Sequence, residues 1–287
     1  MASSPYSIED YLEILMINDY FAVNNDQLIV NNKNESIHNY CHSWRKSGKD
    51  NCDCYFQLAS CGFIYLLEKL KKYVLEDDKL AQYATLWLSF KLNSAPNNCG
   101  TNLIRFYTNY IEKNDYYNKK IKVDGLTYKK IIDKIKNLMD IKEIYKFNIP
   151  FYRLFLSYLV IYSEKLFCEY FSNYPKTFVS EFKSLNNDPK NIKDSPFSQI
   201  LSTLSNDYDN LKNKYGKNKC VNFPDLPPLN PKKIIAPSPE ATSSSSSILN
   251  TVIPGLSISS VILVFLGVAY KTIYKKKIKK NKEENET

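Results

Sequence analysis

From Ile248 to Tyr270 the chain reads ILNTVIPGLSISSVILVFLGVAY, 23 residues without a charge. No other feature narrows the possible architectures as far. As a helix this run spans about 34 Å at roughly 1.5 Å per residue, enough to cross the hydrocarbon of a bilayer. Pro254 and Gly255 fall near one end, where a break is tolerated, and Tyr270 falls where an interfacial aromatic belongs. A buried core helix is the competing reading, but no foldable segment comes after it. The run gives way instead to a basic cluster: Lys271, Lys275, Lys276, Lys277, Lys279, Lys280 and Lys282. Such clusters stay on the cytoplasmic side and attract anionic lipid. The expectation is therefore one transmembrane helix, Ile248 to Tyr270, with residues 1–247 outside and 271–287 in the cytoplasm.

The start of the chain, MASSPYSIEDYLEILMIND, does not read as a cleavable signal peptide. It lacks a basic opening, and acidic residues interrupt its short apolar run. The late helix must then carry the targeting signal itself. A tail anchor that leaves the domain in the cytosol is the alternative topology, against which the lysine cluster weighs. A second apolar run, residues 149–167, holds Arg153 and ends near Glu164 and Lys165. It is too short between charges to span and reads as a core helix.

Ahead of the membrane run the composition turns first to Pro and then to Ser, in FPDLPPLNPKKIIAPSPEATSSSSS. No apolar periodicity survives there, so residues 221–247 read as a stalk, semi-rigid and then flexible. Residues 1–220 are the remaining unit, and with few glycines they offer long stretches free of helix breakers. Ser7 can cap a helix bearing Ile8, Tyr11, Leu12 and Leu15. Phe56, Ala59, Phe63, Leu66, Leu67 and Leu70 mark the next. Asp77 or Asp78 opens one with Leu80, Tyr83, Ala84, Trp87 and Leu88. Thr101 caps another with Leu103, Ile104, Tyr107, Tyr110 and Ile111. Further stripes run through Ile131, Ile135 and Leu138, and through Phe178, Phe182 and Leu185. The plainest helix is SPFSQILSTLSNDYDNLKNKYG, with Ser195 as N-cap, Pro196 first and Gly216 as the stop. The fold class expected is all-α: a single helical ectodomain, a Pro/Ser-rich stalk and one C-terminal transmembrane helix.

The net charge of +9 does not make this a nucleic-acid binder. The tail carries seven Lys and three Glu, a net of +4, which leaves +5 for the first 270 residues. There both signs alternate along helices, as on a solvated face, and no basic stripe with interleaved aromatics occurs. Phosphate-binding loops, dinucleotide fingerprints, a GxSxG elbow and HExxH are missing as well. No catalytic residue is assigned and no cofactor is expected.

The densest chemistry is YCHSWRKSGKDNCDCYFQLASC, with Cys41, Cys52, Cys54 and Cys61 beside His38 and His42, the chain's two histidines. Zinc can be drawn from this set, but CxC spacing is poor for a structural site and HxxxH precedes the cysteines. Nor is CxC the CxxC of a thiol oxidoreductase. In a domain that faces outward the cysteines read instead as a disulfide framework, whose connectivity spacing does not give. Closing a loop of roughly ten to fifteen residues stabilises by about 3 kcal/mol. Because the chain has seven cysteines, at least one remains free or pairs between molecules.

Several strings occur together in an order that resembles one family. They are SIEDYLEILMINDYF, YCHSW with GKDNCDCYFQLASCGFIYLLEKL, YATLWLSFKLN, FYTNYIEKNDYYNKKI with LTYKKIIDKIKNLM, NIKDSPFSQILSTLSNDYDNLKNKYG and CVNFPDLPPL. The chain resembles the Plasmodium interspersed repeat (PIR) superfamily, most of all its rodent-malaria CIR, BIR and YIR groups. The resemblance implies a non-enzymatic variant surface antigen at the infected erythrocyte or a parasite membrane, acting in antigenic variation, immune evasion or host-cell interaction. It implies membrane lipid and a host-cell or immune receptor as partners, and no nucleic acid. The family's cysteine pattern maps onto Cys41, Cys52, Cys54, Cys168 and Cys220, while Cys61 and Cys99 read as additions. With Cys61, these are the structural disulfide candidates. The tail also stops sooner after its lysines than family members commonly do. The rival reading is an internal membrane protein in trafficking or tethering, motivated by the missing signal peptide.

Overall fold

Helix α1, Tyr55–Lys71, is apolar on nearly every side, and a helix of that kind belongs inside a domain rather than on its surface. In the computed structural model it is indeed interior: Phe56, Leu58, Ala59, Phe63, Ile64, Leu66, Leu67 and Leu70 are all buried. The structure describes residues 55–71, 77–95, 103–114 (without the side chain of 103), 144–162 (without the side chains of 159–162), 172–217 and 222–233, with shorter pieces between 14 and 41 and between 117 and 134.

Helix α2, Asp77–Asn93, starts with two aspartates at the positive end of its dipole and packs along α1. Their approach depends on Gly62. A Cβ at that position would lie 2.8 Å from Cη2 of the buried Trp87, so any side chain there would force the indole or the helices to move. Helix α3, Leu103–Phe106, leads into a π-turn, Tyr107–Ile111, which packs on α1. The wider turn changes the angular register of the apolar face. Ile104, expected on that face, is 48% exposed, while Phe106, Tyr107 and Ile111 are buried.

A 3₁₀ turn, Ile144–Phe147, runs into α4, Asn148–Tyr162. This is the apolar run that carries Arg153, and it is a core helix. It buries Phe151, Leu154, Phe155, Leu156 and Tyr158, and it packs on α2, on α5 (Tyr174–Asn186) and on α6 (Pro196–Tyr215). Arg153 donates to Glu181 of α5 at 2.6 Å. Among the described residues, no helix is long and apolar enough to cross a membrane.

Helix α6 keeps closely to its sequence signals. The Ser195 hydroxyl accepts from the Ser198 amide at 3.1 Å, and Pro196 occupies the first turn. Phe197, Ile200, Leu201, Leu204, Tyr208 and Leu211 line the buried face. Gly216 ends the helix for a reason other than a left-handed backbone, since its φ is −62°. A Cβ there would meet the Lys212 carbonyl oxygen at 2.4 Å. Tyr83 of α2 donates to Asp207 of α6, and Thr203 donates to Gln82 at 2.5 Å, which joins the two helices by polar contacts as well as apolar ones.

Among the described residues the domain is helical apart from an isolated bridge near its C-terminal end and one hairpin that helical periodicity did not anticipate. Strands β1, Phe21–Asn24, and β2, Gln27–Val30, pair antiparallel with Phe21 opposite Val30 and Val23 opposite Leu28. Those four side chains pack on the core, whereas Ile29, on the other face, is 47% exposed. Four-residue strands are too short to register in a window suited to helices.

Candidate functional site: the disulfide layer and the C-terminal strap

The cysteine-rich stretch is placed by a 3₁₀ turn over residues 37–40 that precedes α1. Cys41 at its end and Cys61 in α1 form a disulfide, with Cα atoms 5.2 Å apart and a sequence separation of 20. Both residues are fully buried. Cys61, which the family pattern left as an addition, is thus the partner of a family cysteine. The pairing comes from α1, which turns Cys61 inward beneath the 3₁₀ turn. Cys52, Cys54, Cys99, Cys168 and Cys220 lie outside the described residues, as does His42.

Around the disulfide the polar groups are engaged with one another. The Tyr20 hydroxyl lies 2.8 Å from Nε2 of the buried His38. Tyr40 donates to Glu68 of α1, and its carbonyl accepts from Asn114 Nδ2 at 3.0 Å. Lys91, in the last turn of α2, is buried and reaches under the N-terminal segment. Its ammonium donates to the carbonyls of Asn18 at 2.5 Å and Phe21 at 2.8 Å and sits 4.4 Å from the Phe21 ring centroid. A charge in the interior is tolerable only when it is so satisfied. This layer is therefore a staple. Cys41 and Cys61 are not thiolates, and the described residues contain no group of three or more His, Cys, Asp or Glu able to hold a metal ion.

At the π-turn, the hydroxyls of Tyr107 and Tyr117 lie 2.7 Å apart, and Tyr117 donates to Asp133 at 3.2 Å. Burial, then the Tyr117 hydrogen bond and the surrounding negative charge, push the Tyr107 phenol far above its ordinary range. Burial also raises Tyr117, with Asp133 adding to it against the Tyr107 hydrogen bond. Both stay protonated, so neither serves as a phenolate nucleophile.

The second feature was hidden in the stretch read as stalk. Residues 222–233 run against the domain as a strap. Phe223 is buried against Tyr208, their ring centroids 5.8 Å apart, and the tyrosine also stacks on Phe178 at 5.0 Å. The Tyr208 hydroxyl donates to the Pro224 carbonyl at 2.7 Å. Asn186, at the end of α5, donates to the Pro228 carbonyl at 2.8 Å and accepts from the Asn230 amide at 3.0 Å. Further on, the strap pairs as a parallel bridge: the Lys232 amide donates to Asn191 O and the Lys193 amide to Lys232 O, both at 2.8 Å. Proline supplies carbonyls but no amide, so side chains from the domain do the pairing that a strand would have done. The free part of the stretch expected from 221 to 247 cannot begin before 234. Residues 234–247, the run Ile248 to Tyr270 and the lysines from 271 to 282 lie outside the described residues.

Asp188 lies where strap and domain meet. Burial opposes its ionisation, but a 2.8 Å bond from Lys146, the Lys190 amide and the charges of both lysines hold its carboxyl below the ordinary range.

A buried disulfide between Cys41 and Cys61 and a C-terminal strap tied to the last helices define a helical domain stapled at both ends of its described chain. The family model for the Plasmodium variant antigen protein Cir/Yir/Bir matches residues 13–271. A solved structure of a Plasmodium PIR protein ectodomain is 31% identical, covers 77% of this chain and 97% of its own, and superposes with a TM-score of 0.53. No curated protein matches the chain. The chain belongs to the Plasmodium Cir/Yir/Bir variant antigen family, the PIR proteins. It is a non-catalytic protein of the parasite surface class rather than an enzyme.

Proposed function

We propose that the chain is a membrane-anchored variant surface protein. It presents the strapped helical domain outside the cell through a short stalk, residues 234–247. The helix Ile248 to Tyr270 crosses the membrane, and the lysines from 271 to 282 stay in the cytoplasm. One observation carries this reading: the family match continues to residue 271 and so takes in the whole apolar run. The Cys41–Cys61 disulfide supports the outward orientation, because such bonds persist in oxidising compartments. It also weighs against an internal trafficking or tethering role on the reducing side. The displayed domain acts in antigenic variation, immune evasion or contact with host cells, at the infected erythrocyte surface or a parasite membrane.

The test is protease treatment of intact infected cells that carry a tag near the N-terminus. Loss of the tag is expected. Protection, with the protease shown to be active and the cells intact, overturns the orientation.

A further inference from the structure

The strap runs back along the helix it follows. Near its start Asp225 bonds to Lys212 of α6, and Phe223 lies on Tyr208 one turn earlier. Near its end Lys232 pairs with Asn191 and Lys193, just ahead of the Ser195 cap of the same helix. Lengths agree with this path. From Asp225 to Lys232 a proline-rich extended chain covers about 22 Å at roughly 3.1 Å per residue, and from Lys212 back to Ser195 the helix covers about 25 Å at roughly 1.5 Å per residue. The strap therefore moves the point at which the chain leaves the domain. Without it the exit would be Gly216, where α6 stops; with it the exit lies beside the turn that joins α5 to α6, at the other end of that helix.

Little apolar surface holds the strap in place. Phe223 is the one buried residue among 222–233, whereas α6 buries Phe197, Ile200, Leu201, Leu204, Tyr208 and Leu211. Pro224, Pro227, Pro228 and Pro231 keep the segment extended on or off the domain. Seating it thus costs little chain entropy, and freeing it leaves few amides to satisfy. A segment with so few buried apolar contacts opens as a unit before the helices do.

We propose that the strap is a two-position tether that sets which end of the domain faces the membrane. This deepens the display reading and rests on Ile248 to Tyr270 being the membrane span. Helices α5 and α6 run antiparallel, with Phe178 stacked on Tyr208, so the start of α5 and the end of α6 share one end of the domain. When the strap is seated, 14 residues, 234–247, lead to the span, and their root-mean-square reach of about 20 Å is shorter than α6 at about 30 Å. The turn between α5 and α6 then lies on the membrane side, and the end shared by Asn173 and Tyr215 points outward. When the strap is free, the linker is 31 residues, 217–247, reaches about 30 Å, and starts from the opposite end of α6. The domain turns over, and the α5–α6 turn becomes the outward end. A ligand that binds only one of these ends draws the strap toward the matching position.

The test uses the full chain in phosphatidylcholine nanodiscs with an acceptor dye on the lipid headgroups. A fluorescent non-natural residue, the donor, replaces Gln199 or Asn213, both exposed, on one face of α6 and about 21 Å apart along it. Energy transfer is expected to be stronger from 199 than from 213, and to stay so as salt rises, because a tether rather than charge sets the order. Asn230→Pro with Lys232→Pro removes the two amides by which the strap bonds to Asn186 and Asn191, and it touches no helix. The excess transfer from 199 should then be lost or reversed. Asn186→Ala acts from the domain side and should move the two signals the same way. Because the variants act from opposite sides of the contact, one that unfolds the domain leaves the other to decide. A chain that does not enter the disc overturns the membrane span itself. A chain that enters it, but transfers equally from both positions or more from 213, overturns the seated orientation alone. An order that survives in the folded variants overturns the strap as its cause.

Discussion

Replacing Asn186 by Ala should release the strap. The side chain is buried and makes three bonds: it donates to Pro228 O at 2.8 Å, and its carbonyl accepts from the Asn230 amide at 3.0 Å and from Asn191 Nδ2 at 3.1 Å. At about 1 kcal/mol net for each bond, the variant loses about 3 kcal/mol. For a domain of this size that is a fall in Tm of roughly 6 to 12 °C. The loss should be local first. Asn191 O receives the Lys232 amide, so loosening Asn191 loosens the parallel bridge as well. Native-state hydrogen exchange should show the Asn230, Lys232 and Lys193 amides losing protection while amides inside α6 keep theirs. Asn186→Asp separates the parts: it keeps the acceptor for the Asn230 amide but sets a carboxylate oxygen against the Pro228 carbonyl, so Asn230 should stay better protected than in the Ala variant while the contact to Pro228 opens. If Asn186→Ala changes stability by less than about 0.5 kcal/mol, the range of an ordinary surface change, and those amides stay protected, the strap is not held by this side chain.

Three further outcomes rest on the packing and the charges. Gly62→Ala should destabilise by about 1–3 kcal/mol through overpacking against Trp87, read in denaturant unfolding together with a shift in tryptophan emission. Opening the Cys41–Cys61 bond, by Cys41→Ser or by reductant, should cost about 3 kcal/mol for a loop of this length, and non-reducing peptide mapping should recover that pair from the native protein. Burial raises the Glu181 carboxyl above its ordinary range and outweighs the bond and charge of Arg153. A raised folded value means that the folded state binds the proton more tightly, so this group adds stability as pH falls through that value toward its ordinary one. Glu181→Gln should remove that gain, visible in Tm measured from neutral to mildly acidic pH.

Helices were legible in the sequence where local rules decide them. Ser195, Pro196 and the apolar face from Phe197 to Leu211 specify α6 with little reference to the rest of the chain. The stripe from Phe56 to Leu70 marked α1 as a helix, but not that nearly every side of it is buried. Gly216 was read correctly as a stop, though the cause is closeness to the Lys212 carbonyl rather than a left-handed turn. What escaped was non-local or aperiodic. The strap has no apolar period, because single contacts such as Phe223 on Tyr208 and Asn186 on Pro228 hold it, and prolines disguise it as linker. The partner of Cys41 depends on how α1 is rotated beneath the 3₁₀ turn, which spacing alone does not encode. Nothing in the local sequence marks Lys91 for burial. Its burial becomes visible only once the N-terminal carbonyls are laid over it.

The strap also decides how the domain bears load. A pull from its C-terminal side reaches Lys232 first and strains the paired backbone at Asn191 and Lys193. Next in line are the two bonds of Asn186, then Phe223 and the hydroxyl of Tyr208. Each attachment must yield before tension passes to the next, and α6 is strained only after the last has gone. The folded domain is in effect mounted on a row of breakable links, which can absorb shear while the helical core keeps its shape.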